Sequence, residues 1–421
     1  MAAAVTSESS QGNTESILIA TSDFQAADDN QLSFKRGDRF VVISASSEHW
    51  WWCEARGKGE KGYVPVNHVV THDRWLEEEA ERWQDDEYFD SYGHLKLHLE
   101  MLDDQARTNA YLQAVRLGAG FLKDKVVLDV GCGTGILSMF CAHSGNARKV
   151  YAVEASEMAN HTEKVVRCNG LEGKVQVIKG KIEDIVLPEK VDVIVSEWMG
   201  TLLLFELMLE SVLKARNRFL KQGGVMWPSE ASLFLVPCSA QFEYDRKLAF
   251  WEHQYGFDFS PLIPLAKQHF FSKPVYNHKL SNEDCLSEAQ RIVTLDLATV
   301  KESEIECVSC SYSFLVKRSG CFHGFASWFE VVFGGFDLPM GEEHIKLCTG
   351  PDNQPTHWNQ DFFMLDDSMT LEEHDEILGI IVIKRNPYWR RHLKVTFEWS
   401  VKKRGGLTVI PKVSKEFLLW R

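Results

Sequence analysis

Two stretches of this 421-residue chain carry residue types at a spacing that can do chemistry. The first is Asp129-Val130-Gly131-Cys132-Gly133-Thr134-Gly135, directly after the strand-like run KVVL. Its three glycines let the main chain turn tightly and approach a ligand with no Cβ in the way. A helix opening after such a turn aims its unpaired N–H groups at whatever sits there. Glu154 ends the next strand-like run, about twenty residues on, where a carboxylate can accept hydrogen bonds from both hydroxyls of a ribose. The spacing G-x-G-x-G, with an aspartate two residues before the first glycine, differs from the G-x-G-x-x-G that seats a pyrophosphate. That carboxylate suits a neutral or cationic cofactor end. S-Adenosylmethionine, with its ammonium, sulfonium and ribose, fits best; a dinucleotide or a purely structural turn are the alternatives.

The second stretch is Ser196-Glu197-Trp198-Met199-Gly200 through Leu207-Met208, after the strand-like run VDVIV. Open α/β sheets bind ligands at the carboxyl ends of their strands. Glu206 lies in LLLFELML, apolar on every helical face. A buried carboxylate needs a cationic partner or an upward pKa shift. Either Glu206 pairs with a structural arginine of the same chain, or Glu197 and Glu206 together clamp a cation arriving from outside. A guanidinium, planar and donor-rich, matches two carboxylates. The formal charge of 46 − 60 = −14 favours basic polypeptides over nucleic acid as partners.

Around these stretches the chain changes character several times. Residues 1–15 are Ser-, Ala- and Thr-rich and read as a disordered tail. Residues 16–72 alternate short β-like runs with turn signals, the pattern of a small all-β module. The acidic run 73–87 reads as a solvated, partly helical linker. Residues 88–229 alternate strands with helices, which builds a parallel, doubly wound sheet of the Rossmann-like kind. Residues 230–421 consist mainly of short β-like runs, interrupted by an aromatic helical stretch near 240–272. Ten cysteines without a planned spacing are expected to be reduced thiols, and no metal site is expected. No apolar run reaches the roughly 18 residues of a membrane span, and no signal peptide is read at the start. A nuclear and cytoplasmic location is the expectation.

From about Trp83 to Arg421 the residues resemble the protein arginine methyltransferases. Tyr88-Phe89-Asp90-Ser91-Tyr92 is similar to that family's YFxxY helix, VLDVGCGTG and YAVEAS to its cofactor motifs, and Glu197 to Glu206 to its double-glutamate loop. Thr356-His357-Trp358-Asn359-Gln360 is similar to its THW loop, with Asn359 a small departure. The β module resembles an SH3 domain, through Asp28-Asp29-Asn30, Trp50–Trp52 and Gly62-Tyr63-Val64-Pro65. An SH3 module ahead of such a core points to the SH3-containing member of the family.

The resemblance implies an S-adenosylmethionine-dependent methyltransferase domain followed by a β-barrel with a helical dimerisation arm. His98, Met101, Arg107, Asp129, Gly131, Gly133, Gly135, Glu154, Ile182 and Glu183 would hold the cofactor, Arg107 at its carboxylate and Glu183 near the adenine. S-Adenosylhomocysteine would be the product. Glu197, Glu206 and His357 would be catalytic, with Asp104 a candidate partner for His357. Tyr92, Trp358 and Met208 would bind substrate. Methionines at 101 and 208 imply monomethyl and asymmetric dimethyl (type I) products on Gly/Arg-rich or histone-like segments, in a homodimer with a part in transcription regulation. Phe24, Asp28, Asp29, Trp50 and Pro65 would line an SH3 groove for proline-rich proteins. It departs from the SH3 pattern at Ser22 and His68, where aromatic residues are usual. The alternative is a weakly active adaptor or transcriptional coregulator that works by docking.

Overall fold

The computed structural model describes residues 17–338, 341, 343–406 and 408–420, and the tail read at 1–15 lies outside them. The chain divides into two units, 1–86 and 87–421. In the first, β1 (Ile17–Ala20), β2 (Arg39–Ser44), β3 (Trp50–Ala55), β4 (Lys61–Pro65) and β5 (Val69–Thr71) form an antiparallel sheet ordered β4-β3-β2-β1-β5. Alternation along these strands buries Leu18, Phe40, Cys53 and Val64 in a core shared with Phe34. Helix α1 (His72–Ser91) follows. The acidic run expected to be a partly helical linker is therefore helical throughout. From His72 to Tyr92 no Gly or Pro interrupts a sequence rich in strong helix formers, and the helix stops just before Gly93.

The second unit begins with α2 (Leu95–Asp103), α3 (Gln105–Leu117) and the short α4 (Ala119–Leu122). Five parallel strands come next: β6 (Val126–Val130), β7 (Lys149–Glu154), β8 (Val175–Lys179), β9 (Val191–Val195) and β10 (Leu220–Trp227). Their order is β10-β9-β6-β7-β8, with α5 (Ile136–His143), α6 (Met158–Cys168) and α7 (Met208–Phe219) as crossovers. Every residue of β6 is buried, as a central strand covered on both faces requires. The chain runs outward from β6 through β7 and β8, then returns to β9 on the other side. The carboxyl ends of β6 and β9 therefore flank the crevice where such sheets bind ligands. The glycine loop leaves β6 there, and Ser196-Glu197 leave β9.

The rest is antiparallel. β12 (Val275–His278), β17 (Gln360–Leu371), β15 (Gly320–Phe333), β11 (Glu230–Cys238) and β13 (Gln290–Asp296) form one sheet, with β16 (Ile345–Cys348) also on β15. β14 (Cys307–Leu315), β18 (Glu376–Arg385), β19 (Leu393–Lys402) and β20 (Thr408–Leu419) form the other, and α10 (Glu302–Ile305) leads into β14. The two sheets close a barrel around stacked aromatic rings. Phe325 and Phe397 lie 4.9 Å apart and 4° from parallel, and Phe363 stands 5.0 Å from Phe397. The strands are long, where short ones were expected. β17 shows why: Asp366 and Asp367 are exposed in mid-strand, so the apolar run breaks although the strand continues. Between β11 and β12 lie α8 (Gln241–Lys247) and α9 (Ile263–Phe270), whose inner side packs on the barrel through Leu248, Ala266 and Phe271.

Removing the Phe325 ring leaves a cavity between the two sheets. Phe325→Ala should cost about 3–5 kcal/mol, read as a lower urea midpoint for the unfolding of residues 87–421.

Candidate active site

One cavity at the sheet's switch point collects most of the residues the sequence singles out: Tyr92, His98, Met101, Arg107, Gly131, Gly133, Glu154, Ile182, Glu183, Glu197, Glu206 and Met208 all line it. Gly131 and Gly133 form part of its lining. Gly131, Gly133 and Gly135 have φ of 70°, 50° and 81°, the left-handed region that other residues rarely enter. A Cβ on Gly131 would stand 2.3 Å from Met208 Cε, and one on Gly133 would stand 3.1 Å from the His98 ring. His98 is fixed in turn, its Nε2 donating to the Tyr92 carbonyl at 2.8 Å. Glu154 accepts from Gly133 N–H at 2.9 Å on one oxygen and from Ser156 N–H at 2.8 Å on the other. Its carboxylate is thereby aimed while keeping lone pairs for a diol. Glu183 accepts from the Ser211 hydroxyl at 2.8 Å.

The two glutamates are set differently. Glu197 is buried and paired with buried Arg107, whose Nε and Nη2 both donate to the same oxygen at 3.0 and 2.9 Å. Arg107, expected at the cofactor's carboxylate, is here the partner of Glu197. Its Nη1 donates to the Met101 carbonyl at 3.2 Å, which ties α2 into the pair. Glu206 accepts from the Tyr92 hydroxyl at 2.8 Å. Burial, the neighbouring Tyr88 and the Glu206 charge hold the Tyr92 hydroxyl well above its usual pKa, so it stays a donor.

Glu206 is not in a helix, as its apolar neighbours suggest; helix α7 starts only at Met208. Leu202, Leu203, Glu206 and Leu207 instead have φ of 51°, 63°, 71° and 54°. Left-handed backbone costs a non-glycine residue roughly 1–2 kcal/mol, so this loop needs holding. Asp361 accepts from Leu202 N–H at 2.8 Å, and Trp358 Nε1 donates to the Met199 carbonyl at 3.1 Å. Glu206 N–H donates to the Arg391 carbonyl at 3.0 Å, and Arg391 Nη1 donates back to the Glu206 carbonyl at 3.1 Å. Gly200 is required sterically, since a Cβ there would meet the Phe205 carbonyl oxygen at 2.2 Å.

Four residues expected at the site do not line the cavity. Trp358 is buried beneath the glutamate loop, as its bond to Met199 requires. His357 lines a neighbouring depression, held there by Asp104, which accepts from its Nδ1 at 2.7 Å and from its N–H at 2.8 Å. Burial pushes the Asp104 pKa up, but those bonds and the one from Arg107 N–H hold it below the usual carboxylate value. Gly135 faces Thr162 of α6, which a Cβ would approach to 2.7 Å. Asp129 lies wholly buried under the loop, one oxygen accepting from Ser138 at 2.6 Å and the other with no hydrogen-bond partner. Burial raises its pKa to about 7.

Tyr88, Ser211 and Arg391 also line the cavity and were not expected there. Tyr88 was legible, since it precedes Tyr92 by one helical turn. Arg391 was not: it stands 185 residues from Glu206, with no local pattern to connect them.

The β module holds its groove residues together. Phe24 meets Phe34, Trp50 and His68 at 5.3, 5.9 and 5.3 Å, and Trp50 pairs with Pro65 across β3 and β4. Where aromatic residues are usual, Ser22 Oγ and His68 Nδ1 are hydrogen-bonded at 2.7 Å. Asp28 accepts from Asn30 N–H and Gln31 Nε2, at 2.9 and 2.8 Å, so it shapes its own loop, while Asp29 is exposed.

The parallel sheet, the glycine loop at its switch point and the Glu154 carboxylate at the end of β7 make this an S-adenosylmethionine-dependent methyltransferase fold, and residues 127–224 match a methyltransferase domain family. Residues 229–404 match the arginine methyltransferase oligomerization subdomain, and residues 19–66 match the SH3 domain. Protein arginine N-methyltransferase 2 of Homo sapiens is 49% identical over 405 residues, covering 96% of this chain and 92% of that protein. Its namesake in Xenopus laevis is 45% identical over 407 residues, covering 96% and 92%. Among solved structures, the Trypanosoma brucei PRMT1 enzyme-prozyme heterotetrameric complex with AdoHcy aligns at a TM-score of 0.70 and 33% identity, covering 79% of this chain and 100% of that one. Arabidopsis thaliana protein arginine methyltransferase 10 aligns at 0.70 and 34%, covering 79% and 99%. This chain belongs to the protein arginine N-methyltransferases.

A side chain at residue 133 would press on His98 in a backbone conformation that β-branched residues avoid. Gly133→Val should weaken S-adenosylhomocysteine binding by about tenfold or more in calorimetry, with circular dichroism unchanged.

Proposed function

We propose that the chain transfers methyl groups to arginine side chains in Gly/Arg-rich and histone-like segments, giving monomethyl and asymmetric dimethyl products. The observation that carries this reading is the convergence of Glu197, Glu206, Met101 and Met208 on one cavity with the glycine loop. S-Adenosylmethionine, when bound, supplies a methyl group on a sulfonium centre. His98, Gly131, Gly133, Glu154, Ile182 and Glu183 hold it.

Glu197 and Glu206 do the work on the substrate side. A guanidinium is a poor nucleophile because its charge is delocalised, and its pKa lies above about 12. Two fixed carboxylates set its plane and draw positive charge toward one nitrogen, leaving the other better able to attack. Arg107 occupies one oxygen of Glu197 and so fixes that carboxylate's rotation. Tyr92 fixes that of Glu206. The attacking nitrogen becomes strongly acidic as it is methylated, so a carboxylate suffices as acceptor. Glu206 takes that proton; it lines the cavity, whereas His357 does not. Met101 and Met208 line the same cavity as the glutamates, which supports the asymmetric product.

The chain acts as a homodimer in nucleus and cytoplasm, with a part in transcription regulation. Supporting the dimer, α8–α9 and their connection expose Phe242, Tyr255, Phe257 and Leu265, an apolar surface that a second copy would cover. The groove of Phe24, Trp50 and Pro65 takes proline-rich partners, with Asp29 available to an arginine beside the motif.

Labelled methyl transfer to a Gly/Arg-rich peptide, with mass-spectrometric product analysis, tests the reading. Glu206→Gln should lower kcat by about a hundredfold or more, with S-adenosylhomocysteine affinity near wild type. A variant that keeps most of its activity sinks the glutamate clamp. Symmetric dimethylarginine as product sinks the type I assignment.

A further inference from the structure

The loop that carries Glu206 holds four left-handed non-glycine residues, and it is held from outside. Three consecutive residues between β18 and β19 grip it. Arg390 pairs with Glu210, in the first turn of α7, at 2.9 Å. Arg391 exchanges two hydrogen bonds with the Glu206 main chain, at 3.0 and 3.1 Å. His392 stacks on Phe205, with centroids 6.0 Å apart and planes 20° from parallel. The gripping turn is itself stiff: Asn386 Oδ1 accepts from Tyr388 and Trp389 N–H at 2.9 and 3.1 Å, and Trp389 stacks on His392 at 5.5 Å.

Arg391 does more than join two loops. Its guanidinium carbon lies 3.7 Å over the Tyr88 ring and 5.3 Å from the centroid of Phe89. Tyr88, in the last turn of α1, and Tyr92, just past its end, have rings 5.0 Å apart, and Tyr92 donates to the Glu206 carboxylate. One side chain thus touches the aromatic helix that orients the Glu206 side chain and the peptide group that orients its backbone. Only arginine offers a flat cationic face for a ring together with in-plane donors for a carbonyl. Lysine has the charge without the plane.

Accepting the glutamate clamp proposed above, we propose that Arg391 is a positioning residue for methyl transfer that acts through Glu206 and not on the substrate. Removing its side chain would free the Glu206 carbonyl and the Tyr88 face, leaving only the main-chain bond from Glu206 N–H, and a displacement near 1 Å at a reacting group can cost about a hundredfold in rate. The cofactor pocket, built on Glu154 and the glycine loop, would be left intact.

The test uses the full chain, a Gly/Arg-rich peptide, and rates normalised to S-adenosylhomocysteine-binding sites. Arg391→Ala should lower kcat by about thirtyfold or more, with the peptide KM and S-adenosylhomocysteine affinity within about threefold of wild type. Arg391→Lys should recover little of that loss. The double variant Arg391→Ala with Glu206→Gln should be no slower than Glu206→Gln alone, because both act at one carboxylate. Multiplying losses in the double variant would overturn the proposal, as would a rise in KM alone or full rescue by lysine. If Arg391→Ala does not fold, Arg391→Gln, planar but neutral, reads the same split. Should Glu206→Gln itself stay active, the glutamate clamp fails, and that outcome is separate from any result at Arg391.

Discussion

The peptide unit of Glu206 is gripped on both of its polar sides by one residue, with N–H donating to the Arg391 carbonyl and C=O accepting from the Arg391 guanidinium. Four left-handed non-glycine residues between 202 and 207 would relax to ordinary backbone without such support. The outside contacts described for that loop's main chain, from Asp361, Trp358 and Arg391, come from the antiparallel barrel. The barrel is thus the frame that holds a strained glutamate-bearing loop at the mouth of a parallel sheet. This explains why the methyltransferase domain alone would carry the glutamates without their geometry.

Electrostatics works with the same economy. Arg107 and Glu197 are both buried and neutralise each other, so the cavity wall carries a carboxylate whose rotation is fixed. Glu210 gathers Lys214, Arg385 and Arg390; burial pushes its pKa up, but these cations hold it down at about 2. That cluster fastens the first turn of α7 to the barrel just beyond Met208. The site is therefore bounded by fixed charge on both sides, and Tyr92 and Tyr88 remain protonated between them because burial opposes their ionisation.

Much of this was legible in the sequence, for identifiable reasons. Strands β6 to β9 are short, apolar and bounded by turn residues, so their alternation with helices could be read directly. Glu154 and the glycine loop announced themselves by type and spacing. Glu206 stood out because a carboxylate among leucines needs an explanation; it lines the cavity, and Arg391 of the same chain is bonded to its backbone. What could not be read was tertiary. The left-handed turn looks like helix because leucines are helix formers, and only distant barrel contacts overrule that propensity. Trp358, read as a substrate residue, is buried and bonded to the Met199 carbonyl; His357 faces a neighbouring depression because Asp104 holds it there.

Hydrogen exchange over residues 199–207, compared between the intact chain and Asp361→Ala, tests the framing role of the barrel most directly. The substitution removes the acceptor for Leu202 N–H and touches neither glutamate. The account predicts that amides across 200–206 lose protection, by at least about tenfold in exchange rate, while those of β6, β7 and β9 keep theirs. Unchanged protection across the loop would mean that its conformation is intrinsic and that the barrel does not hold it.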